Sequence, residues 1–133
     1  MTLIELKTII LNASADTWHQ HENGGGWVEN TAHVDETVYV GPNALVCGNA
    51  RVGGYALVYG NARVSDNAQV GDHAQVGGYA MVGDNASVRG YAQVGGYAQV
   101  SDNAWVCDNA LVYGNAQVGG YAQVGDNAQV GGY

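Results

Sequence analysis

Valine recurs at every sixth residue from Val28 to Val130, at eighteen successive positions without an exception. Four residues after each valine comes alanine, which is replaced once, by Val38. A fixed period of this kind indicates a repeat architecture in which each unit buries its apolar face against its neighbours. We therefore expect residues 28–133 to form one continuous array, preceded by a separate N-terminal segment, residues 1–27.

Each six-residue unit has the pattern of a short strand followed by a turn. In Ala80-Met81-Val82 the side chains alternate, so Ala80 and Val82 are predicted to enter a core while Met81 faces outward. Asp or Gly and then Asn or Tyr follow most valines at the turn, and these residues adopt turn and left-handed conformations readily. Tyrosine takes the second of these positions only after glycine, which predicts that a bulky corner residue needs a permissive neighbour. These tyrosines are Tyr55, Tyr79, Tyr91, Tyr97, Tyr121 and Tyr133.

The unit of an aliphatic residue, a small residue, two loose positions, a small residue and a variable one resembles the hexapeptide-repeat family. The stretch Gly25-Gly26-Trp27-Val28-Glu29, followed by such units, is also similar to bacterial and phage members described as transferases. The resemblance implies an all-β, left-handed parallel β-helix of about six triangular coils with a short N-terminal capping segment. Handedness rests on the resemblance alone, and so does the expectation of a trimer about a threefold axis.

Charge and composition restrict the partners. The net charge is −8, and four Lys and Arg residues are too few to neutralise many phosphates, so nucleic acid or an anionic membrane is not expected as the main partner. The apolar run Ile9–Leu11 is too short to span a bilayer. No secretory leader is expected before Ala13, because that segment carries Glu5 and lacks a long apolar stretch. Cys47 and Cys107 do not form a disulfide framework, which suits a reducing cytoplasm.

Folding the sequence at 18 residues predicts two acidic corners. Like charges one strand spacing apart repel modestly in water and attract cations. Turn formation and solubility explain them more simply than a calcium ladder does, because calcium usually takes six or more oxygens, and we predict no metal site. An asparagine ladder, Asn67, Asn85 and Asn103, follows the first corner. The first corner carries Asp66, Asp84 and Asp102, the second Asp72, Asp108 and Asp126, and the third mainly glycine.

One outward face is more apolar than the others. Segment 56–62 recurs three coils later as 110–116, and glutamine and glycine separate the two copies. Contiguous exposed apolar patches usually mark interfaces, so another copy of the chain is expected to cover this face. The predicted interface residues are Tyr39, Leu57, Tyr59, Leu111 and Tyr113.

The N-terminal segment differs in composition from the repeats. Residues 3–11 alternate partly like a strand. They are expected to cap the first coil or to pair with a neighbouring chain, with Trp18 and Trp27 covering that end of the core. His19 and His21 would share one side of an extended strand beside Glu22, which is too few ligands for a predicted metal centre.

The resemblance also raises the possibility of an enzyme. Hexapeptide acyltransferases use a histidine base between subunits and basic groups near the phosphates of CoA, and the repeats here contain His33 and His73. Arg51, Arg63 and Arg89 are predicted to lie on different faces and to make a poor phosphate clamp. No long loop interrupts the repeats, although such loops often carry active sites.

Three functions follow from these patterns. The favoured one is a non-enzymatic scaffold without a cofactor, an oligomeric rod that presents flat faces and acidic corners to a protein partner. The second is an acetyl-CoA-dependent acyltransferase with His33 or His73 as the base. The third is an acidic decoy that inhibits a nucleic-acid-binding protein by imitating its charged ligand.

Overall fold

A computed structural model describes residues 1–132, in which one helix precedes three sheets of short strands. The helix, α1, is Leu3–Ile9. Sheet A contains β1 (Trp18–Gln20), β2 (Trp27–Glu29), β5 (Leu45–Val46), β8 (Arg63–Val64), β11 (Met81–Val82), β14 (Gln99–Val100) and β17 (Gln117–Val118). Sheet B contains β3 (His33–Val34), β6 (Arg51–Val52), β9 (Gln69–Val70), β12 (Ser87–Val88), β15 (Trp105–Val106) and β18 (Gln123–Val124). Sheet C contains β4 (Tyr39–Val40), β7 (Leu57–Val58), β10 (Gln75–Val76), β13 (Gln93–Val94), β16 (Leu111–Val112) and β19 (Gln129–Val130).

The strands of each sheet belong to successive coils. Residue i of one repeat strand pairs in parallel with residue i+18 of the next coil, as Val82 does with Val100. The outward Met81 donates its N–H to the carbonyl of Ala98 at 3.0 Å, and Gly83 donates to that of Val100 at 2.9 Å. These contacts confirm a parallel β-solenoid of about six coils.

The core is the column of valines and alanines that the period predicts. Ala80 and Val82 are fully buried and Met81 is exposed, as alternation requires. Val38, the one departure from alanine, is also fully buried. Each buried valine contributes roughly 1.5 kcal/mol or more, so many small side chains replace a few large ones.

The turns depend on a left-handed residue two positions after the strand valine. Asp84 has φ 54° and Gly78 has φ 61°, and from Gly48 onward this position is always aspartate or glycine. Asp72, which precedes the corner residue His73, is left-handed just as the glycines before the corner tyrosines are. The backbone conformation therefore does not explain why tyrosine follows only glycine. Tyr133 lies outside the described residues. Positive φ is shared by Asp66, Asp72, Asp84, Asp102, Asp108 and Asp126.

The strand-like interpretation of the N-terminal segment is wrong, because a helix forms there. Thr2 and Glu5 make a capping box, in which the N–H of Glu5 donates to Oγ1 of Thr2 at 3.2 Å. In return the N–H of Thr2 donates to Oε1 of Glu5 at 3.1 Å. These two bonds satisfy amides that the first helical turn leaves free. The hydrogen bond from the Thr2 backbone N–H lowers the pKa of Glu5, and the Thr2 side chain lowers it further.

The two tryptophans do not cover the end of the core, contrary to the prediction. Trp27 and Leu45 precede inward valines and so lie on the outer side of sheet A, where they pack with Leu6 and Trp18. The edge of the first coil is closed instead by β1, which pairs antiparallel with β2, and by the residues after it. There the N–H of Val40 donates to the carbonyl of Asn23 at 3.0 Å.

Within residues 1–132 no helix combines the length and apolar character needed to cross a bilayer.

Candidate functional site

The five predicted interface residues all lie on or beside sheet C, and we call them the tyrosine strip. Leu57 of β7 pairs with Tyr39 of β4 on one side and with Gln75 of β10 on the other. Leu111 of β16 lies on the same sheet, three coils from Leu57. The strip consists of Tyr39, Leu57, Tyr59, Leu111 and Tyr113.

Two tyrosines of the strip lie directly over glycines of the next coil. A Cβ atom at Gly77 would stand 2.2 Å from the Tyr59 ring, and one at Gly131 would stand 2.3 Å from the Tyr113 ring. The glycines therefore let both rings lie against the sheet. Tyr59 remains 41% exposed and Tyr113 47% exposed, so each ring still presents an apolar surface to a partner.

A shallow depression separates the two tyrosines. Its volume is about 190 Å³, and its lining includes Tyr59, Gln93, Gly95, Leu111 and Tyr113. A Cβ placed at Gly95 would meet nothing within 4 Å. Sites for small molecules usually measure about 300–1,000 Å³, so this depression fits a partner's side chain better than a whole ligand.

The remaining members of the strip are less accessible. Tyr39, Leu57 and Leu111 are half-buried. Tyr39 lies close to the N-terminal segment, since a Cβ at Gly24 would stand 3.0 Å from its Cε1 atom. Tyr59 and Tyr113 are therefore the part of the strip that a partner can reach most easily.

A second feature, on sheet B, was missed by the sequence analysis. Arg51 and Arg89 line one cavity of about 190 Å³ together with Gln69, Gly53 and Gly71, and we call it the arginine groove. The Arg89 guanidinium donates a hydrogen bond to Oε1 of Gln69. The prediction that the arginines lie on different faces is thus wrong for these two and holds for Arg63, which is on sheet A. Their separation of two 18-residue coils plus two residues was the signal that could have placed them together.

One candidate histidine base adjoins this groove. His33 and Asp35 line a neighbouring cavity of about 410 Å³, which Arg51 and Gly53 also line. Asp35 accepts the N–H of Gly54 at 3.3 Å, so its carboxylate is held at the far end from Arg89. His33 and Arg51 are therefore the pair from the acyltransferase hypothesis that the fold brings together.

The other candidate base, His73, lies at a corner between two tyrosines. Its ring centroid is 5.5 Å from that of Tyr55 and 5.0 Å from that of Tyr91, and the ring planes are nearly parallel. Both faces of the imidazole are thus occupied. The stack gives His73 a structural role at the turn.

The acidic corners contain a ladder of hydrogen bonds between coils. Oδ2 of Asp66 accepts the N–H of Asp84 at 3.1 Å, and Oδ2 of Asp84 accepts that of Asp102 at 3.0 Å. In the second corner, Oδ2 of Asp108 accepts the N–H of Asp126 at 3.0 Å. Backbone amides of the turns therefore gain acceptors from the coil before them. These aspartates have a structural task whether or not a partner binds them.

The N-terminal histidines bind separate partners. Nδ1 of His19 lies 2.7 Å from Oδ1 of Asn30, while the buried His21 places Nε2 2.7 Å from the carbonyl oxygen of Val38. In the part of the chain that the structure describes, no group of three or more His, Cys, Asp or Glu side chains is arranged to hold a metal ion.

Both cysteines are free and half-buried. Burial, with the nearby carboxylates of Glu29 and Asp66, raises the pKa of the Cys47 thiol to about 11. Burial and the carboxylate of Asp108 also raise the pKa of Cys107. A thiol that stays protonated is a poor nucleophile, so neither residue has the environment of a catalytic cysteine.

Comparison with known proteins supports the repeat and gives no activity. The YdcK β-solenoid repeat family matches residues 56–72 and 104–120, two segments that include both copies of the Leu-Val-Tyr sequence of the tyrosine strip. The chain is similar to that family over these segments. No curated protein and no solved structure matches the chain.

Proposed function

We propose that the protein is a non-enzymatic scaffold, a rod whose copies associate through the tyrosine strip and present the remaining faces and acidic corners to a protein partner. The observation that carries this proposal is the pair of exposed rings, Tyr59 and Tyr113, on either side of an open depression. The left-handed winding and the threefold trimer implied by the hexapeptide-repeat resemblance belong to the same proposal.

The geometry of the strip supports association more than small-molecule binding. Tyrosine is enriched among the residues that contribute most to protein interfaces, because it buries a large rigid surface and keeps a polar hydroxyl. Here the Gly77 and Gly131 contacts fix the two rings against the sheet, so little side-chain entropy remains to be lost on binding.

The test is the molar mass of the protein in solution, measured by sedimentation equilibrium in about 1 M NaCl, where charge pairs are screened to a Debye length of roughly 3 Å. The Tyr59→Ser/Tyr113→Ser variant should sediment as a monomer where the unaltered protein is oligomeric. Loss of one anchoring side chain at the centre of an interface often costs about 2 kcal/mol or more.

A matched control removes exposed apolar side chains elsewhere. Met81 and Tyr121 are also exposed, and neither lies on sheet C, so Met81→Ser/Tyr121→Ser should leave the mass unchanged. A monomeric unaltered protein would rule out the strip as an interface. Equal dissociation by both variants would also contradict the proposal.

A second candidate, an acetyl-CoA-dependent acyltransferase, is favoured by one observation: His33 and Arg51 line the same cavity. In that function the His33 imidazole would act as the base, and Arg51 and Arg89 would contact phosphates of the cofactor. Calorimetric titration of CoA into the unaltered protein and into His33→Ala and His73→Ala variants tests it. Absence of CoA binding, or equal loss in both variants, would exclude this candidate.

A further inference from the structure

Sheet B concentrates positive charge in a strongly acidic protein. The chain has four Lys and Arg residues against twelve Asp and Glu, and two of those four cations, Arg51 and Arg89, line the arginine groove. Both arginine side chains are exposed. The groove thus holds half of the cations of a chain whose net charge is −8, with the Asp35 carboxylate beside Gly53 at one end, and carboxylates of a partner would complement its two arginines.

The spacing of the groove matches the spacing of the acidic corners. Arg51 of β6 and the residue after β12, Arg89, are separated by two strand spacings, about 9.6 Å along the axis of the rod. Asp66 and Asp102 are also two coils apart, joined through Asp84 by the amide ladder. A second rod laid alongside the first therefore presents two carboxylates at the axial interval that separates the backbones of the two arginines.

The floor of the groove leaves room for such a corner. Gly53 and Gly71 take the outward position on the two coils before Arg89. A Cβ at Gly71 would meet nothing within 4 Å, whereas one at Gly53 would stand 2.9 Å from Oδ2 of Asp35, so the open part of the floor is at Gly71. A projecting turn can therefore approach the backbone of sheet B. Arg89 is already oriented across this floor by its bond to Gln69, which lowers the entropy lost when it pairs with a carboxylate.

We propose that the arginine groove binds the first acidic corner of a second copy of this chain, with Arg51 and Arg89 paired to Asp66 and Asp102. The first corner is favoured because its aspartates occupy three successive coils, whereas Gly90 interrupts the second corner. In the second corner the exposed rings of Tyr55 and Tyr91 also stand beside the carboxylates.

This contact gives the proposed scaffold a second, charge-dependent mode of assembly, and it stands or falls separately from the tyrosine strip. The groove and the corner are different patches of one surface, so the contact is heterologous and builds either a closed ring or a growing chain. At about 0.1 M salt the Debye length is roughly 10 Å, which screens much of the repulsion between two chains of net charge −8 and keeps close ion pairs, whereas at 1 M, with a Debye length of roughly 3 Å, the pairs are weakened as well.

The test uses sedimentation velocity of the Tyr59→Ser/Tyr113→Ser protein, so that the strip does not contribute. At a low salt concentration of about 0.1 M this protein should associate, and at about 1 M it should not. Adding Arg51→Gln/Arg89→Gln should lower the low-salt association constant at least about tenfold, or roughly 1.4 kcal/mol. Adding Arg63→Gln, which removes one arginine from sheet A, should change it less than about twofold.

Complementation identifies the occupant of the groove. Asp66→Asn/Asp102→Asn should abolish low-salt association as the arginine pair does, while asparagine keeps the left-handed turn. Mixing this variant with Arg51→Gln/Arg89→Gln should restore a 1:1 heterodimer, because each supplies the patch that the other lacks. Asp72→Asn/Asp108→Asn, the matched change in the second corner, should leave association intact.

Three results would overturn the proposal: no low-salt association in the strip variant, equal loss with Arg63→Gln, or no heterodimer in the mixture. If only the second-corner variant lost association, the groove would bind the second corner and the proposed occupant would be wrong. The scaffold proposal is judged separately by the mass at high salt, where the groove contact is screened. Circular dichroism of each variant verifies that the coils remain folded.

Discussion

The left-handed aspartates make a sharp prediction at Asp84, which lies in the middle of the first acidic corner. Its φ of 54° favours asparagine or glycine over alanine, and its carboxylate accepts the N–H of Asp102 at 3.0 Å. Three substitutions separate the two effects. Asp84→Asn retains both an oxygen acceptor and tolerance of positive φ, Asp84→Gly retains the tolerance alone, and Asp84→Ala retains neither.

The magnitudes decide the order of the three variants. A hydrogen bond to a charged group contributes about 1.5–3 kcal/mol and a neutral one about 0.5–1.5 kcal/mol, so the change to asparagine costs roughly 1 kcal/mol. Two unit charges one strand spacing apart, about 4.8 Å, repel by about 0.9 kcal/mol in water before salt screening. Removing the repulsion from Asp66 and Asp102 therefore offsets that cost. We expect the free energy of unfolding of Asp84→Asn to lie within about 1 kcal/mol of that of the unaltered protein.

Alanine has no such compensation for its backbone. A left-handed conformation costs an ordinary residue about 1–2 kcal/mol, and the lost acceptor adds to that cost. We expect Asp84→Ala to lose about 2 kcal/mol relative to Asp84→Asn, with Asp84→Gly between them. Urea unfolding followed by circular dichroism measures the differences at one protein concentration and one salt concentration. Equal stability of the alanine and asparagine variants would refute both the strain and the amide ladder.

Three further predictions concern the core, the strip and the cysteines. Val82→Asp should prevent cooperative unfolding curves by burying an unpaired charge in the fully buried column, whereas the outward Ser87→Asp should shift the urea midpoint little. Gly77→Ala should displace the Tyr59 ring and weaken association, measured at high salt by sedimentation equilibrium. Gly95→Ala, which has open space at its Cβ, should leave the Tyr59 ring in place and reduce association less. Equal effects of the two substitutions would contradict the ring contact. The Cys47 thiol should react with iodoacetamide slowly at pH 8 and faster as the pH approaches about 11, because its raised pKa keeps it protonated at lower pH. A Cys47→Ser variant identifies the part of the rate that comes from Cys47. A half-maximal rate near pH 8.5 would contradict the argument that burial raises this pKa.

The core and turns could be predicted because a repeat fixes the environment of each residue by its phase. Val82 is buried and Met81 is exposed because successive side chains of a strand point to opposite faces. The left-handed position was foreseen from the choice of aspartate and glycine. The hydrogen bonds between carboxylates and amides of successive coils were not predicted. They depend on an offset of one coil between donor and acceptor and also on the rotamer of aspartates such as Asp84, which the sequence does not give.

The N-terminal helix escaped prediction because local capping competes with a weak strand pattern. Residues 3–11 alternate only partly, whereas Thr2 and Glu5 stand three apart as a capping box requires. The outer packing of Leu6 on Trp27 then holds the helix on sheet A, a tertiary contact that no local pattern contains. Trp27 stands immediately before the inward Val28, and this position by itself indicates that its side chain faces outward.

Departures from the repeat carry the functional information in such a chain. A residue that matches its phase, as most valines and alanines here do, is explained by the fold and distinguishes no partner. Tyr59, Tyr113, Arg51 and Arg89 all occupy outward positions where the repeat permits glycine or glutamine, so selection for the solenoid alone does not require them. The tyrosines recur after three whole coils and the arginines after two coils plus two residues, and both separations place the pair on one face. Another copy of this rod carries the same strand spacing of about 4.8 Å, which is why both proposed contacts pair the chain with itself.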